Sequence, residues 1–386
     1  MKFRIHKNLS LSEIGLGCYG LSGAFGSKDS DSYISTIHRA YDLGVNFFDT
    51  AEGYGEAERF LGETVKSFRD KIHIATKVGV KEGFKPDLSQ KYIQTACENS
   101  LIALQTDYLD LYQIHFDDPA TPVEETLEAL ELLVCQGKIR YYGLGHLPLP
   151  RIEAYFENGD PFSVLIELSA VARTALDDIL PACQARDIGL IAFSVAGRGL
   201  LTGKINAETT FEANDIRTID PLFQRERFSS GLRVEKKMSD IGKKYGKTSV
   251  QIAIAWVLTQ PGVICALTGP STIPHLEENL GGSGWKLTTD DYQDLKIFLS
   301  EETVHLQKGQ RATVAQLLRL KITGEPQKGF TDLIYAIETA VELNLVSEDE
   351  IMPQFMELYG LKNSLDQDAL IELEQIRNRL KEIIPI

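Results

Sequence analysis

The feature that most constrains the fold is a regular alternation of short apolar runs with longer segments of helical periodicity. The eight strand-like runs, in chain order, are Glu13–Cys18, Asn46–Thr50, Ile72–Lys77, Tyr108–His115, Ile139–Gly145, Phe162–Leu168, Gly189–Ser194 and Val263–Thr268. Strands that alternate with helices form a parallel sheet, and eight such units are the number that closes a (β/α)₈ barrel. The sequence therefore predicts an α/β fold of the TIM-barrel type.

Helical segments separate these runs. The predicted helices are Asp31–Leu43, Ala57–Phe68, Leu88–Leu104, Val123–Gln136, Leu176–Arg186, Val234–Tyr245 and Pro274–Leu280. Glycine directly follows three of them, at Gly44, Gly137 and Gly246, and glycine at this position is typical of a helix that ends in a left-handed residue. These signals support the strand–helix alternation independently of the apolar runs.

Two segments depart from the alternation. Some 35 residues between Ala196 and Gly231 show no period, and so long an irregular segment in a compact domain is usually functional, here a lid over the barrel mouth. The chain also continues for more than 80 residues after Leu299, with apolar stripes of helical spacing in Thr331–Leu343 and Asp368–Ile384. We therefore expect a barrel over residues 1–300 and a helical C-terminal extension over residues 301–386.

Composition excludes several classes of protein. With 43% hydrophobic and 25% charged residues, the 386-residue chain has the composition of a folded globular protein. Its net charge of −15 disfavours nonspecific binding to nucleic acid or to an anionic membrane. Five cysteines without a C-x-x-C pair argue against a disulfide framework or a zinc ribbon. Since no apolar run spans a bilayer and the N-terminus lacks a signal sequence, we expect a cytoplasmic protein without nucleic-acid or membrane partners.

Four ionisable residues lie at or just after predicted strand ends. They are Asp49, Tyr54, Lys77 and His115. Taken singly, each has an ordinary structural explanation: a turn cap, a rim aromatic, a solvated lysine and a structural histidine. Because the carboxyl ends of barrel strands converge on the face where active sites lie, their joint occurrence indicates a catalytic group instead.

The chemistry of the four residues is consistent. An ammonium group beside a phenol favours the phenolate and lowers the phenol pKa, and a carboxylate keeps the ammonium charged and in place. An imidazole can hydrogen-bond an incoming oxygen. This set suits proton donation to a carbonyl oxygen that gains negative charge, as in hydride reduction. Neither metal-ligand spacing nor a nucleophile held by a base is present, so we expect no metal, and hydrolytic barrel chemistry is disfavoured.

The residues around these positions resemble the aldo-keto reductase superfamily. The matching blocks are Phe47–Gly55, Ile74–Lys77 and Leu109–His115, and the four residues match the family's Asp–Tyr–Lys–His tetrad in type, order and approximate spacing. The resemblance covers roughly residues 2–299, including an opening β-hairpin that closes the bottom of the barrel in relatives. It implies reversible NAD(P)H-dependent reduction of a small aldehyde or ketone to the alcohol, with hydride from nicotinamide C4. Tyr54 would be the general acid, Lys77 would lower its pKa, Asp49 would hold Lys77, and His115 would orient the carbonyl.

The resemblance also implies a nicotinamide site without a GxGxxG motif. Phe193 matches the aromatic residue that stacks on the nicotinamide, the loop after it matches the pyrophosphate segment, and Glu278 and Asn279 match adenine contacts. The implied cofactor-binding residues are Gly17, Cys18, Tyr19, Asp49, His146, Phe193, Ser194, Arg198, Leu200, Lys204, Gly269, Ser271, His275, Glu278 and Asn279. For the adenosine-end segment, an ordinary helix start capped by Thr272 is an alternative interpretation.

Several positions depart from the family pattern. Relatives commonly read Gly-x-Ser-Asn after the fifth strand, whereas this chain reads Gly143-Leu144-Gly145-His146, and the usual glutamine of the sixth strand falls at Leu165. His146 could supply one of the missing contacts to the carboxamide. The lysine or arginine of NADP-selective members falls at Gly269, Ser271 and His275, which weakens the preference for NADPH. NADP is the expected cofactor by family default, with NAD as the alternative.

A second function is also compatible with the sequence. As in the channel β-subunits of the superfamily, the barrel could be a cofactor-occupied binding module whose extension contacts a protein partner. The candidates for an apolar substrate lining are Tyr19, Phe84, Phe116, Phe223 and Phe228. The sequence does not indicate the oligomeric state.

Overall fold

A closed barrel of eight parallel strands forms the centre of the molecule. The computed structural model describes residues 1–27, 29–81 and 85–385. The strands are β1 (Phe3–His6), β2 (Leu9–Ser12), β3 (Ile14–Gly17), β4 (Phe47–Asp49), β5 (His73–Val78), β6 (Val80–Lys81), β7 (Lys85–Pro86), β8 (Leu109–Ile114), β9 (Ile139–Gly145), β10 (Ser163–Glu167), β11 (Gly189–Phe193) and β12 (Val263–Thr268). The barrel order is β3, β4, β5, β8, β9, β10, β11 and β12, and β12 pairs with β3 to close it. All eight predicted barrel strands are confirmed, with ends within one residue.

The N-terminal hairpin closes one end of the barrel, as predicted. β1 and β2 pair antiparallel, and Leu9 and Leu11 of β2 pack with residues inside the barrel such as Phe47 and Leu111. Arg4 of β1 donates hydrogen bonds to Glu13 Oε1 at 3.0 Å and to a carbonyl at the end of the helix that precedes β12. The hairpin therefore covers the end of the barrel opposite the catalytic strand ends.

Helices surround the barrel and form the extension. They are α1 (Ser30–Asp42), α2 (Ala57–Val65), α3 (Gln90–Leu104), α4 (Val123–Cys135), α5 (Leu149–Asn158), α6 (Ile179–Gln184), α7 (Arg225–Tyr245), α8 (Ser249–Thr259), α9 (Ile273–Leu280), α10 (Thr289–Arg319), α11 (Pro326–Glu342), α12 (Glu348–Gly360) and α13 (Ala369–Ile383). All seven predicted inter-strand helices are confirmed, while α5, α8, α10 and α12 were not predicted. In the described part of the chain, no helix is long and apolar enough to cross a bilayer.

The segment after β11 runs across the catalytic end of the barrel. It consists of short 3-10 turns, and α7 begins at Arg225, six residues before the predicted end of the irregular segment. The Ile216 amide donates to the Ala24 carbonyl at 2.7 Å, and Phe25 forms a β-bridge with Asp215. Because residue 24 follows β3, the segment spans from the end of β11 to the loop after β3, as a lid would.

The extension has a hydrophobic core of its own. Val314 of α10, Phe330 of α11 and Leu373 of α13 are completely buried in this cluster. Leu295 and Leu299, earlier in α10, pack instead on the core around the barrel. Since α10 runs through residue 300 without a break, the predicted domain boundary falls inside a helix that serves both cores.

Candidate active site

Asp49 and Lys77 form a buried ion pair at adjacent strand ends. Lys77 Nζ donates to Asp49 Oδ1 at 2.5 Å and to the Thr50 carbonyl at 2.7 Å. Their neighbouring strands β4 and β5 place both side chains at the same edge, where Lys77 is 1% and Asp49 is 4% exposed. Burial lowers the pKa of Lys77, but Asp49 and Tyr54 outweigh it and hold that pKa above its usual value, so the ammonium stays charged.

Tyr54 lies beside this pair on a short loop. Lys77 Nζ is 4.9 Å from the centre of the Tyr54 ring, so the ammonium lies against the phenol. Glu52 holds the loop, because its carboxylate accepts hydrogen bonds from the Gly79 and Val80 amides at 2.9 and 3.2 Å. The loop after β4 is thereby attached to the end of β5, the strand that carries Lys77.

The pKa of Tyr54 differs from the sequence-based expectation. Burial raises the pKa of Tyr54 to about 12, although Lys77 acts in the predicted, lowering direction. Desolvation of the phenolate is therefore the larger effect. Tyr54 is a protonated phenol at neutral pH, which makes it a proton donor rather than a base.

His115 completes the tetrad, and aromatic rings surround it. Its ring centre lies 5.6 Å from Tyr54 and 4.6 Å from Phe116. Burial, Lys77 and His146 hold the pKa of His115 well below its usual value, so the imidazole is neutral. Its Nδ1 is buried and has no hydrogen-bond partner among the described residues. The structure therefore brings all four predicted catalytic residues together.

His146 occupies the position where relatives carry asparagine. Its φ is 46°, a conformation that non-glycine residues seldom adopt and that often marks a functional site. The imidazole stacks on Phe116 at 4.8 Å and lies 5.0 Å from the ring of Phe193. Leu165, in the usual glutamine position, is buried among apolar residues inside the barrel. His146 therefore brings a polar ring next to Phe193.

The residues after β3 lie on the other side of Tyr54. Tyr19 is half exposed, and its ring centre is 5.0 Å from that of Tyr54. Cys18 is completely buried, and burial raises the pKa of its thiol to about 12, so the thiol is neutral. The backbones of Gly17 and Gly269 lie side by side, because β3 pairs with β12. Of the predicted lining residues, Phe84 falls outside the described residues.

Several residues of the loop after β11 have left-handed backbone conformations. Gly197, Arg198 and Gly199 all have positive φ, with 97° at Gly199, and Ser194 before them has 54°. Arg198 Nη1 pairs with Asp220 at 3.0 Å and its Nη2 with Glu167 at 3.0 Å. The side chain of Leu200 is completely buried, so this residue offers a ligand only its backbone.

The predicted adenosine-end residues come together across two elements. Lys204 Nζ pairs with Glu278 Oε2 at 2.9 Å, and both charges act on His275, whose pKa is lowered by burial and by Lys204. Asn279 follows on α9 and is half-buried, while the Ser271 carbonyl accepts a hydrogen bond from Ser32. Thr272 Oγ1 accepts from the His275 amide at 3.4 Å, so the predicted helix cap is also present. The capping role and a ligand-binding role are compatible.

Two residues that hold the tetrad were not predicted. Gln113 Nε2 donates to Asp49 Oδ2 at 3.1 Å, and Glu52 fixes the Tyr54 loop as described above. Gln113 lies two residues before His115, within the predicted strand Tyr108–His115, so the period of 2 puts both on one face, a signal that could have found Gln113. No sequence signal pairs Glu52 with the amides of a different loop. Within the described ranges, no three His, Cys, Asp or Glu residues are arranged to hold a metal ion.

A model of the Aldo/keto reductase family matches residues 13–300. The chain belongs to the aldo/keto reductase family. Aldo-keto reductase YhdN of Bacillus subtilis (strain 168) is 33% identical over 306 residues, which cover 77% of this chain and 92% of that protein. Probable aldo-keto reductase 1 of Glycine max is 33% identical over 298 residues, 75% of this chain and 86% of that protein.

Solved structures of aldo-keto reductases share the fold. The glycerol dehydrogenase AKR11B4 from Gluconobacter oxydans superimposes with a TM-score of 0.70 at 31% identity, covering 78% of this chain and 95% of that one. An aldo/keto reductase from Klebsiella pneumoniae, in complex with NADP and acetate, has a TM-score of 0.62 at 26% identity, covering 77% and 94%. The chain is thus an oxidoreductase of aldo-keto reductase type, and the family model ends before α11.

Proposed function

We propose that this protein catalyses the reversible NAD(P)H-dependent reduction of an aldehyde or ketone to the alcohol. The observation that carries the proposal is the buried Asp49–Lys77 pair, whose ammonium lies 4.9 Å from the centre of the Tyr54 ring, with the neutral His115 ring 5.6 Å from the same phenol. The nicotinamide cofactor supplies the hydride when it is bound. The chain's own residues supply the proton and orient the carbonyl.

Tyr54 is the proton donor in this proposal. Its raised pKa keeps the hydroxyl protonated until charge develops on the substrate oxygen, and an alkoxide is more basic than the Tyr54 phenolate. Once the proton has left, the Lys77 ammonium stabilises the phenolate, and Asp49 holds that ammonium in place. Each residue thus contributes to proton transfer at one atom, the Tyr54 hydroxyl oxygen.

His115 positions the substrate carbonyl. As a neutral imidazole it carries one N–H, which can donate to the carbonyl oxygen without competing with Tyr54 for the proton transfer. The aromatic rings of Phe116 and Tyr19 lie around this point, and His146 adds a polar ring stacked on Phe116. Such a pocket suits a small carbonyl compound with an apolar or aromatic body.

The residues present fit a nicotinamide dinucleotide. Thr268 Oγ1, at the end of β12, is buried without a hydrogen-bond partner in the described part of the chain, next to the adjoining backbones of Gly17 and Gly269. The left-handed turn at Gly197–Gly199 and the Lys204–Glu278 pair lie along the predicted cofactor path. We propose that Phe193 stacks on the nicotinamide, the turn holds the pyrophosphate, and Glu278 and Asn279 contact the adenine.

NADP is the proposed cofactor, with NAD as the alternative. The Klebsiella pneumoniae relative was solved with NADP, which supports this choice by family analogy. Lys204 and His275 are two cationic or titratable groups at the proposed adenosine end, and Glu278 already neutralises Lys204. We therefore expect a smaller preference for NADPH over NADH than an unpaired arginine would give.

The substitution Tyr54→Phe tests the mechanism. Loss of a general acid lowers turnover by about 10²- to 10⁴-fold, so we expect kcat to fall to that extent while NADPH binding is retained. Cofactor oxidation against a panel of aldehydes and ketones measures turnover, and quenching of protein fluorescence measures binding. Tyr41→Phe, a half-buried tyrosine of α1, is the matched control. Equal turnover by wild type and Tyr54→Phe would refute the mechanism.

The alternative of a cofactor-occupied binding module rests on the atypical extension and on the altered carboxamide site. The apolar stripes of the extension pack against one another and against Ile216 and Ile219 of the lid segment, so these side chains are covered within the chain. The altered carboxamide position does not require loss of turnover, because His146 is a polar side chain facing Phe193. Tight cofactor retention without turnover of any carbonyl compound would restore this alternative.

A further inference from the structure

The turn that carries Tyr54 is not held in place by backbone packing. Tyr54 ends a single 3-10 turn, Glu52–Tyr54, between β4 and α2. Gly53 and Gly55 lie on either side of it in the chain and are exposed. A methyl group on either glycine would meet no atom of the described residues within 4 Å, apart from its chain neighbours. The position of the turn therefore depends on contacts that neighbouring side chains make.

A carboxylate before Tyr54 holds the turn against β5. Glu52 Oε1 accepts hydrogen bonds from the Gly79 amide at 2.9 Å and from the Val80 amide at 3.2 Å, both just after the end of β5. The same oxygen accepts a third hydrogen bond from the Tyr92 hydroxyl, near the start of α3, at 3.2 Å. One oxygen atom thus joins the turn to two other elements.

A second carboxylate lies on the other side of Tyr54. Glu58, in the first turn of α2, accepts a hydrogen bond from the Thr76 hydroxyl, with 2.5 Å between Thr76 Oγ1 and Glu58 Oε1. Thr76 is completely buried and Glu58 is 6% exposed. Thr76 directly precedes Lys77 in β5, and successive side chains of a strand point to opposite faces. The hydrogen bond therefore joins α2 to the outer face of β5, next to the residue that carries the ammonium.

The two acids contact β5 and the residues after it on both sides of Lys77. Glu58 binds the residue before Lys77, and Glu52 binds the second and third residues after it. Hydrogen bonds to a charged group contribute about 1.5–3 kcal/mol each. These contacts are therefore strong enough to fix a turn whose backbone has little packing.

An acid at the start of a helix often serves only as a favourable partner for the helix dipole. Glu56 fits this explanation, since it directly precedes α2, is exposed and pairs with Arg59 at 2.7 Å. Glu58 does not fit it, because its carboxylate is buried and lies against β5, where Thr76 donates to it. Interaction with a helix dipole requires no such burial, so the position of Glu58 indicates a role that is specific to this strand.

We propose that Glu58, together with Glu52, is a positioning residue that sets the distance between the Tyr54 hydroxyl and Lys77. The proposal rests on the proton-donor role of Tyr54 proposed above and adds the side chains that hold this donor in place. Catalysis depends steeply on such distances, because a displacement of about 1 Å can lower the rate about 10²-fold. Glu58 acts through Tyr54 and is not itself a catalytic residue.

The first test is Glu58→Met, which keeps a similar side-chain length but removes the acceptor of the Thr76 hydroxyl. With NADPH and benzaldehyde as the probe, we expect kcat to fall about 10- to 100-fold, while the Kd for NADPH stays unchanged. Glu58→Gln retains an oxygen that can accept from Thr76 and should recover most of the lost kcat. Glu63→Met, at an exposed position of the same helix, is the matched control and should leave kcat unchanged.

Thr76→Val removes the same hydrogen bond from the other end and keeps the shape of the side chain. It should lower kcat as Glu58→Met does, and the double variant should lose no more than either single variant, since both remove one contact. In the Tyr54→Phe enzyme, Glu58→Met should cause no further loss, because the hydroxyl that Glu58 positions is already absent. A loss of the same size with and without the Tyr54 hydroxyl would overturn the proposal, since Glu58 would then only support the fold.

Hydrogen–deuterium exchange tests the attachment of the turn without any turnover. Exchange in residues 51–57 should accelerate in Glu58→Met and in Thr76→Val, but not in Glu63→Met, because only the first two variants release the turn from β5. Exchange that is unchanged in both of these variants would overturn this inference alone. Absence of turnover of every carbonyl compound by the wild type would instead overturn the proposed function, and with it the role of Glu58 in proton transfer.

Discussion

At the scale of single residues, the protonation states in the active site depend on two opposing effects: burial favours neutral side chains, and opposite charges nearby favour ionised ones. Burial alone would neutralise Lys77 and Asp49, but each satisfies the other at 2.5 Å, and the pair remains ionic. Among the described residues, Lys77 is the cation that lowers the pKa of Tyr54, and the effect of burial on that pKa is larger. Both side chains are buried, but Lys77 stays charged because Asp49 compensates its burial. Tyr54 stays protonated because Lys77 offsets only part of the effect of burial on its pKa.

A substitution of Gln113 tests whether the protonation state of Asp49 depends on its second hydrogen bond. The Gln113 amide is the second donor to Asp49, after Lys77, and it lowers the pKa of a carboxyl that burial raises. We expect Gln113→Leu to cost a hydrogen bond to a charged group, about 1.5–3 kcal/mol, and to lower kcat by roughly tenfold or more. The acid limb of the pH–kcat profile should move to higher pH, because Asp49 then takes up a proton more readily.

The neighbouring strand residue supplies the control for this substitution. The hydroxyl of Tyr112 is buried and has no hydrogen-bond partner in the described part of the chain, so Tyr112→Phe removes a polar atom without removing a contact. We expect kcat and the pH profile of Tyr112→Phe to match the wild type. A Gln113→Leu enzyme with an unshifted acid limb would show that Gln113 only fills space.

At the scale of elements, the loop after β11 carries four of the proposed cofactor-binding residues, Ser194, Arg198, Leu200 and Lys204. Its turn needs left-handed residues, and glycine adopts these at no steric cost. Gly199 has a φ of 97°, and a methyl group there would meet only ordinary contacts at 3.6 Å. The expected effect of a substitution is therefore on backbone conformation and not on packing.

We predict that Gly199→Ala weakens cofactor binding. A left-handed alanine costs roughly 1–2 kcal/mol, and this strain should distort the turn that holds the pyrophosphate, with a rise of about tenfold in the Kd for NADPH. Gly246→Ala, at the end of α7, carries the same kind of strain with open space around it and should leave the Kd unchanged. Fluorescence titration measures both, and equal Kd values for the two variants would contradict the prediction.

The elements differ in how readily the sequence predicts them. The barrel strands are short buried runs bounded by polar or glycine residues, so their positions were predicted to within one residue. Helix α8 was missed because nearly all its residues are buried, which removes the apolar stripe, and α12 was missed in a segment interrupted by Pro353. The tetrad was predicted because its four residues lie at or just after predicted strand ends. The ion-pair partners of Arg198 and the hydrogen-bond partners of Glu52 were not predicted, because they come from segments that are distant in the sequence.

At the scale of the whole molecule, two hydrophobic cores share one long helix and one lid segment. Leu299 of α10 packs with the barrel core and Val314 of the same helix with the extension core. The lid divides in the same way, since Ile219 belongs to the extension core while Phe223 packs with Leu200 of the proposed cofactor loop. We propose a domain boundary within α10, with the two parts mechanically coupled through the lid.

This coupling predicts a remote effect of a core substitution. Phe330 of α11 is completely buried in the extension core that also contains Ile219, so Phe330→Ala should reduce the free energy of unfolding by about 3–5 kcal/mol. Hydrogen–deuterium exchange should accelerate in residues 216–223 as well as in the extension, because the lid loses part of its support. Leu133→Ala, in the barrel core at α4, should leave exchange in residues 216–223 unchanged. Faster exchange in the Phe330→Ala variant that is confined to the extension helices would show that the lid keeps its order through the barrel alone.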